Sequence, residues 1–263
     1  MRNILLTIEY DGSAYSGWQI QPNVPTVQGE IEKALRRAMD RDIRISGTSR
    51  TDAGVHAFGQ RASMLIEDGI PLERIPLAVN NALPPDIRIV SAEQKDEDFH
   101  ARFSASGKKY VYKMKHHPSA FDARYYYEVE PGLDMEKIAK AAEIIRGTHD
   151  FKCFEAAGSD IRESTVRTIW FLEMKPECFK DPTGCGADEG YELVVKGDGF
   201  LYNMVRIITG TLIDVGRGRI PVDEIYEMLE KGDRTLAGHT APPQGLYLAE
   251  VFYGEDDQWK THA

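Results

Sequence analysis

Strand-like and helix-like segments follow one another in the same order in each half of this 263-residue chain. In the first half the predicted order is strand, helix, strand, strand, helix, strand, at residues 4–10, 26–39, 43–48, 58–67, 71–83 and 87–92. This β-α-β-β-α-β order is the split βαβ pattern of a ferredoxin-like layer. It favours an antiparallel sheet covered by two helices.

The second half shows the same order, without any repeat of the sequence itself. Its predicted segments lie at 110–115, 135–145, 166–174, 191–196, 201–215, 223–229 and 245–252, where 223–229 is an additional short helix. We therefore predict an α+β fold of two ferredoxin-like halves, residues 1–105 and 106–263. Their antiparallel sheets are expected to join, with a cleft between the halves, a place where sites commonly form.

The charge balance is acidic, with a formal net charge of −10. Taken alone, this argues against a nucleic-acid partner, since phosphates bind basic surfaces. However, the acids crowd into residues 93–98, 181–192 and 223–233, and an acidic protein can still carry a basic groove. No apolar run reaches membrane length, and Glu9 interrupts the first apolar residues too early for a signal peptide. These patterns predict a cytoplasmic protein without a membrane partner.

The three cysteines are an odd number, which speaks against a disulfide framework. Cys178 and Cys185 fall in a turn-rich excursion at 176–190, where free thiols in a loop are predicted. No second pair of ligands stands at a spacing suited to zinc, so no metal site is predicted. Residues 11–23 form another glycine-punctuated loop, in which Tyr15 and Trp18 are predicted to be exposed.

The segment Arg50-Thr51-Asp52-Ala53-Gly54-Val55-His56 lies in a loop between two predicted strands. Arg50 is suited to hold the Asp52 carboxylate ionised, or to hold a substrate phosphate beside it. On residue types alone a structural Arg–Asp pair is the better interpretation. His56, beside glycine and alanine, is more typical of a structural histidine than of a general base.

Two further segments carry residue types suited to chemistry or binding. Residues 99–115 interleave aromatic and basic side chains, a mixture suited to stacking on bases and holding phosphates, although an ordinary strand with a solvated basic face fits equally well. Arg206 stands alone in an apolar helix start and needs a carboxylate partner, for which Asp52 is a candidate. Leu246 and Tyr247, at a strand entry, indicate only core. No phosphate cradle, dinucleotide motif or Ser-His-Asp arrangement is present.

Together these segments resemble the TruA family of tRNA pseudouridine synthases. The likeness runs from Ile8-Glu-Tyr-Asp-Gly through Gly17-Trp-Gln to Gly245-Leu-Tyr-Leu, and its most specific element is Arg-Thr-Asp-Ala-Gly-Val-His at 50–56. Phe99-His-Ala-Arg-Phe-Ser, the Lys-Tyr-Val-Tyr that follows, and Met-Val-Arg at 204–206 support it. The chain departs from the family at Ser49, usually glycine, at Asn203, often histidine, and in the length of 176–190.

The resemblance implies isomerisation of uridine to pseudouridine at positions 38 to 40 of the tRNA anticodon stem-loop, with no cofactor and no catalytic metal. It implies that Asp52 is catalytic, either as nucleophile at ribose C1′ or as base on the ribose, and that Arg206 pairs with it. Arg50 would fill the space left by a flipped nucleotide or hold that nucleotide. Tyr110 would stack on the uracil, and Leu246 would form the apolar floor.

The resemblance also implies a homodimer that holds one tRNA. The expected RNA contacts are Phe99, His100, Arg102, Phe103, Lys108, Lys109 and Arg167. The first half would carry the aspartate loop, and the second half Tyr110, Arg206 and Leu246. Two rival functions stay open: a non-catalytic RNA-binding protein, and a hydrolase of nucleosides or glycosides. The hydrolase would need a second carboxylate, for which Asp11 is the nearest upstream loop acid.

Overall fold

The computed structural model describes residues 1–67, 69–158, 164–184 and 186–254. Its strands are β1 Arg2–Tyr10, β2 Ile45–Gly47, β3 His56–Ile66, β4 Ile87–Lys95, β5 Ala105–Lys115, β6 Tyr127–Glu128, β7 Gly147–Asp150, β8 Val166–Lys180, β9 Ala187–Gly197 and β10 Leu246–Tyr253. Its α-helices are α1 Val27–Met39, α2 Ile75–Asn80, α3 Met135–Ile145, α4 Met204–Gly216 and α5 Glu224–Lys231. The predicted α+β class is confirmed.

Two compact units make up the chain. The first contains Met1–Ser106 and the residues of β10 from Tyr247 onward, and the second contains Gly107–Leu246. The predicted boundary at residue 105 assigned the whole remaining chain to the second half. Most of β10 lies instead with the first unit, where it pairs with β3.

The first unit has the strand order β4-β1-β3, with β2 on the far side of β3, and all of these pairs are antiparallel. This is the arrangement expected of a split βαβ layer. The apolar residues of β1 alternate only loosely, yet Ile4, Leu6 and Ile8 are fully buried. Helix α1 is capped by Thr26, whose hydroxyl accepts the Gly29 amide hydrogen at 3.3 Å.

The second unit has the antiparallel strand order β5-β9-β8-β7. Helix α3 packs against α4, α5 and β8. Every residue of α4 is buried except Arg206, because this helix is mostly apolar and runs through the interior of the unit. Within the described residues, no helix is long and apolar enough to span a membrane.

The prediction of a loop at 176–190 is wrong in one respect. Most of this segment continues β8 and β9 as a hairpin. Cys178 lies opposite Glu189 within this hairpin, whereas Cys185 lies outside the described residues. Pro176 suggested a turn, but β8 pairs with β7 only through Val166–Ile169. Beyond that point its other edge is unpaired among the described strands, and edge strands tolerate proline.

The sheets were predicted to be antiparallel, and two strand pairs contradict this. Strand β10 pairs parallel to β3, and β6 pairs parallel to β5. Neither connection is a tight hairpin, so nothing local imposes an antiparallel direction. The helix predicted at 71–83 is shorter than expected, with a 3-10 turn Leu72–Arg74 leading into α2. The short strands β6 and β7 were not predicted.

Candidate active site

The loop between β2 and β3 makes a tight turn at Asp52. The Val55 amide donates to the Asp52 carbonyl at 3.1 Å, and Gly54 has a φ of 78°. A positive φ at the third turn position favours glycine, which has no Cβ to clash with the backbone. Asp52 is half-buried and Arg50 is exposed. The turn therefore presents the carboxylate rather than burying it in the core.

The backbone just before the aspartate is fastened at two residues. The hydroxyl groups of Thr51 and Tyr10, both buried, lie 2.7 Å apart, and the Thr51 carbonyl accepts the Trp18 amide hydrogen at 3.0 Å. Gln60 donates to the carbonyl of Ser49 at 2.7 Å and accepts the Ser49 amide hydrogen at 3.3 Å. Because buried hydrogen bonds are costly to leave unmade, this segment has little freedom to move.

Residues 11–23 pack directly on the aspartate loop. The prediction that Tyr15 and Trp18 are exposed is wrong: their exposed fractions are 7% and 1%. Gly17 has a φ of 91°, and a Cβ at this position would lie 2.6 Å from the Thr51 carbonyl oxygen. The backbone of residues 15–18 therefore lies against the aspartate loop, with Trp18 donating to the Thr51 carbonyl, and only glycine fits at position 17.

His56 begins β3 and is 2% exposed. Its Nδ1 accepts the Gly12 amide hydrogen at 3.1 Å and lies 3.2 Å from an oxygen of Asp11. Its ring stacks on Tyr247 with centroids 4.8 Å apart. Asp11 in turn accepts the Ser13 amide hydrogen at 2.9 Å. These contacts are typical of a packed structural histidine and of a carboxylate that caps a short helix.

A compact turn at residues 99–104 is attached to the base of the same loop. Ala101 is fully buried, and its amide donates to Ser63 Oγ at 3.2 Å. Its carbonyl oxygen lies 2.9 Å from the hydroxyl of Thr48 and 2.9 Å from that of Tyr253. Since Thr48 precedes the aspartate loop, the turn and the loop share one hydrogen-bonded anchor.

The aromatic side chains of this turn differ in their exposure and packing. Phe103 is 78% exposed, with the His100 ring 4.5 Å and the Arg102 guanidinium 5.6 Å from its ring. Phe99 instead packs against Tyr253, with ring centroids 5.1 Å apart. Of the two phenylalanines predicted to contact RNA, Phe103 is therefore the one whose ring is available for stacking.

In the second unit, Arg206 projects from the first turn of α4. Its Nε donates to the Ala241 carbonyl at 2.7 Å, and one terminal nitrogen donates to Asn203 Oδ1 at 2.6 Å. Asn203 adopts a left-handed φ of 60°, which asparagine tolerates better than most residues. Two acceptors in different directions fix the plane of the guanidinium group.

Tyr110 and Leu246 also belong to the second unit. Tyr110 lies in β5 opposite Val195, and the edge of its ring meets Phe200 with centroids 5.1 Å apart. Its exposed fraction is 8%, and that of Leu246 is 5%. Both side chains are thus buried, and the Tyr110 ring has an aromatic neighbour.

The remaining predicted RNA contacts lie on strands of the second unit. Lys108 and Lys109 are half-buried on β5, and Arg167 is half-buried on β8, where it donates to the Ser164 carbonyl at 3.1 Å. The predicted set is therefore divided between the units, with the turn at 99–104 in the first. In the part of the chain that the structure describes, no three His, Cys, Asp or Glu side chains are grouped to hold a metal ion.

Sequence reasoning missed the residues that support the aspartate loop. Tyr10, Thr48, Gln60 and Tyr253 hold it or its anchor, yet none was singled out. The sequence offered one indication of such residues, namely a polar residue at a strand position where the alternation predicts an apolar one. Gln60, fully buried in β3, gives that signal clearly, since a buried amide needs a partner to which it can hydrogen-bond.

Comparison with known proteins agrees with the motif at 50–56. A sequence model of a family described as tRNA pseudouridine synthase matches residues 6–104 and 141–254. These two stretches include the aspartate loop, the turn at 99–104, Arg206 and Leu246.

Several curated relatives are similar over almost their whole length. A protein of Ruminiclostridium cellulolyticum named tRNA pseudouridine synthase A is 47% identical, covering 96% of this chain and 100% of its own. Its namesake in Acetivibrio thermocellus is 46% identical with the same coverage. The protein of that name in Bacillus pumilus is 45% identical, covering 94% of this chain and 97% of its own.

Proposed function

This chain belongs to the tRNA pseudouridine synthase family and is therefore an isomerase that acts on tRNA, and we propose that it converts uridine to pseudouridine at positions 38 to 40 of the anticodon stem-loop. In this proposal Asp52 is the catalytic residue. The nucleotide is flipped out of its stem before the reaction. No further reactant is required, because the product is an isomer of the substrate.

The observation that carries the proposal is the support given to Asp52. The residue before it, Thr51, is fastened by Tyr10 and Trp18, while the Asp52 side chain itself is half-buried rather than enclosed. A catalytic carboxylate needs this combination, since a group that must meet a substrate atom requires a fixed backbone and an accessible side chain.

The reaction breaks the bond between ribose C1′ and uracil N1. The freed uracil turns and forms a new bond between C5 and C1′, after which the proton on C5 is lost and N1 gains one. Cleavage leaves positive charge on C1′, as in glycoside hydrolysis, and a carboxylate stabilises or traps such a centre. Asp52 acts either as nucleophile at C1′ or as base on the ribose, and both routes require it ionised.

A paired uridine is out of reach of any side chain until it leaves the stack, at a cost of about a few kcal/mol. Arg50, exposed at the start of the aspartate loop, is suited to fill the vacated space or to hold the flipped nucleotide. Its guanidinium offers planar stacking and several hydrogen-bond donors at once. Its position two residues before Asp52 supports this role.

Three residues of the second unit complete the proposed pocket. Tyr110 stacks on the uracil, and Leu246 forms the apolar floor. Arg206 pairs with Asp52 and keeps it ionised, because a nearby positive charge favours the carboxylate. The guanidinium plane of Arg206, fixed by Asn203 and Ala241, supports this assignment.

We assign the tRNA backbone to Arg102, Arg167, Lys108 and Lys109, and an unpaired base to Phe103. His100 contacts RNA together with Phe103, whose ring it flanks. Phe99 contributes indirectly, because its ring packs against Tyr253. Two copies of the chain together hold one tRNA, so that basic surface can be combined from both in spite of a net charge of −10 on each.

The rival hydrolase would need a second carboxylate that places a water beside Asp52. Asp11, the acid proposed for that task, instead accepts the Ser13 amide hydrogen and lies against His56. The other rival, a non-catalytic RNA-binding protein, would use the exposed turn at 99–104 but would have no use for a fastened aspartate loop. Both observations favour the isomerase.

The test uses unmodified tRNA transcript labelled with tritium at uracil C5, incubated with purified protein and chelator but no added cofactor. Tritium release that maps to positions 38 to 40 is the expected result. Release from other positions would contradict the proposed substrate. Tight binding of several tRNAs without any release would favour the RNA-binding protein.

The matched pair of variants is Asp52→Asn and Asp42→Asn. Asp52→Asn is expected to bind tRNA with unchanged affinity and to lose turnover. Asp42 is exposed and meets Arg36 only at 3.4 Å, so its variant should keep full activity. Equal turnover by the Asp52 variant and the wild type would remove Asp52 from the mechanism.

A further inference from the structure

In the second unit, the side chains of Asp214, His239 and Tyr127 form a series of polar contacts. His239 Nδ1 lies 2.9 Å from Asp214 Oδ2, and the His239 amide donates to the same oxygen at 3.3 Å. On the other side of the ring, Nε2 lies 3.3 Å from the Tyr127 hydroxyl. Because a carboxylate only accepts, Nδ1 carries a proton, and Nε2 lies within hydrogen-bond distance of Tyr127.

Asp214 is held as a carboxylate in the interior of the unit. It is 7% exposed and also accepts from Arg219 at 3.2 Å. Burial disfavours its charge, but the hydrogen bonds from His239 and Arg219 outweigh burial, and the pKa of Asp214 is lowered. At neutral pH Asp214 is therefore a charged carboxylate, and in this form it accepts the hydrogen bonds from His239.

His239 belongs to a segment, residues 238–241, that lies along α4 and is fastened to it on successive turns. The Gly238 amide donates to Thr211 Oγ1 at 2.9 Å, and the Ala241 amide donates to the Arg206 carbonyl at 3.1 Å. A Cβ on Gly210 would lie 1.8 Å from the His239 carbonyl oxygen, so nothing separates the segment from the helix. Asp214 fastens one end of this segment, and Arg206 lies at the other.

The same segment orients the Arg206 side chain. Ala241 supplies the carbonyl that accepts from Arg206 Nε at 2.7 Å. A shift of the segment along α4 would move that carbonyl and thereby change the orientation of the guanidinium. A displacement of about 1 Å in a reacting group is enough to cost about a hundredfold in rate.

We propose that Asp214 and His239 are positioning residues for the isomerisation: they fasten residues 238–241 to α4 and thereby hold the Arg206 guanidinium in its working orientation. This inference rests on the role of Arg206 in the proposed function. In this role neither residue contacts the uridine, and both act through Arg206.

The test is a double-mutant cycle on turnover, built from His239→Ala and Arg206→Lys, with kcat and KM measured on tRNA. His239→Ala is expected to lower kcat about tenfold and to leave KM within about twofold. In the Arg206→Lys background the same change should have no further effect on kcat, because residues that act as one unit are not additive. His239→Asn, whose amide nitrogen can replace Nδ1 as donor to Asp214, should restore most of the loss.

Thr211→Val removes the hydroxyl that accepts from the Gly238 amide, and it changes no charge. This variant replaces His239→Ala in the cycle if His239→Ala does not fold. An equal fold-loss in both Arg206 backgrounds would show that the segment acts independently of Arg206 and would overturn the positioning role alone. Wild-type kcat in Arg206→Lys would overturn the proposed role of Arg206 and this inference with it. Turnover retained by Asp52→Asn would instead count against the proposed mechanism.

Discussion

The hydroxyl groups of Tyr10 and Thr51 meet at 2.7 Å in the interior of the first unit, although 41 positions separate them in the chain. Tyr10 ends β1, and Thr51 precedes Asp52, so this contact connects the sheet to the proposed catalytic loop. Tyr10→Phe would leave the Thr51 hydroxyl buried without this partner, at a cost of about 1–3 kcal/mol. We expect lower kcat and a lower free energy of unfolding, measured by tritium release and by urea titration.

The matched control for that change is Tyr226→Phe. Tyr226 is 61% exposed on α5, so removing its hydroxyl should alter stability by less than about 0.5 kcal/mol. Equal stability and turnover in the Tyr10 variant and this control would contradict the role of the Tyr10–Thr51 contact.

Gly17→Ala tests the close packing on the aspartate loop. The φ of 91° at Gly17 resists any side chain, and the added Cβ would also lie 2.6 Å from the Thr51 carbonyl oxygen. Gly132→Ala is a matched control, since Gly132 has a φ of 89° and nothing within 4 Å of its Cβ position. Both variants should lose about 1–2 kcal/mol from backbone strain. Only Gly17→Ala should lower kcat, by about a hundredfold; equal kcat in the two would refute the prediction.

Lys115 should be one of the most sensitive lysines to substitution. It is fully buried, and its Nζ lies 2.6 Å from Asp122 and 2.9 Å from Asp188. Lys115→Met would leave both carboxylates without this partner, a loss of about 3 kcal/mol or more. The comparable exposed pair of Lys33 and Glu30 should cost less than about 1 kcal/mol in Lys33→Met. Chemical denaturation of the two variants measures the difference, and equal losses would argue against a buried ion pair.

Cys153 should resist alkylation in the native protein. Burial raises the pKa of its thiol to about 12, and the thiolate is the reactive form. At pH 8 we expect iodoacetamide to modify the exposed Cys178 while the peptide that contains Cys153 stays unmodified. Both should react after denaturation in guanidinium. Mass mapping of each cysteine peptide provides the measurement, and rapid native labelling of Cys153 would contradict its burial.

Phe103 and Phe99 should respond in opposite ways to replacement by alanine. Phe103→Ala removes an exposed ring and should weaken tRNA binding by about 1–3 kcal/mol, with little change in stability. Phe99→Ala removes a half-buried ring packed on Tyr253 and should reduce stability by about 1 kcal/mol. Binding isotherms and thermal melts on both variants test this. Unchanged tRNA affinity in Phe103→Ala would remove the stacking role.

Much of the element order was readable along the chain, because amphipathic periods and caps are local properties. Thr26 was predicted to cap a helix that ends at residue 39, and α1 spans Val27–Met39. The wrong predictions also came from local sequence patterns, at positions where tertiary packing favours a different structure. Pro176 suggested a loop, but pairing with Tyr191 of β9 keeps it in β8. Tyr15 and Trp18, in a polar loop, are buried because their side chains meet residues outside that loop: the Tyr15 hydroxyl donates to Asp86, and the Trp18 ring packs near Tyr10.

The proposed site shows the same division. Asp52, Arg50 and Arg206 were proposed from a motif and from residue types, because both can be read directly from the amino-acid sequence. Their supports were not, because Thr48 and Ala101 are 53 positions apart, and Asp214 and His239 are 25 apart. Periodicity and residue type thus determined the fold class and the candidate chemistry. Only the tertiary structure decided which buried polar groups meet, because a hydrogen bond depends on atoms brought within about 3 Å, whatever their separation in sequence.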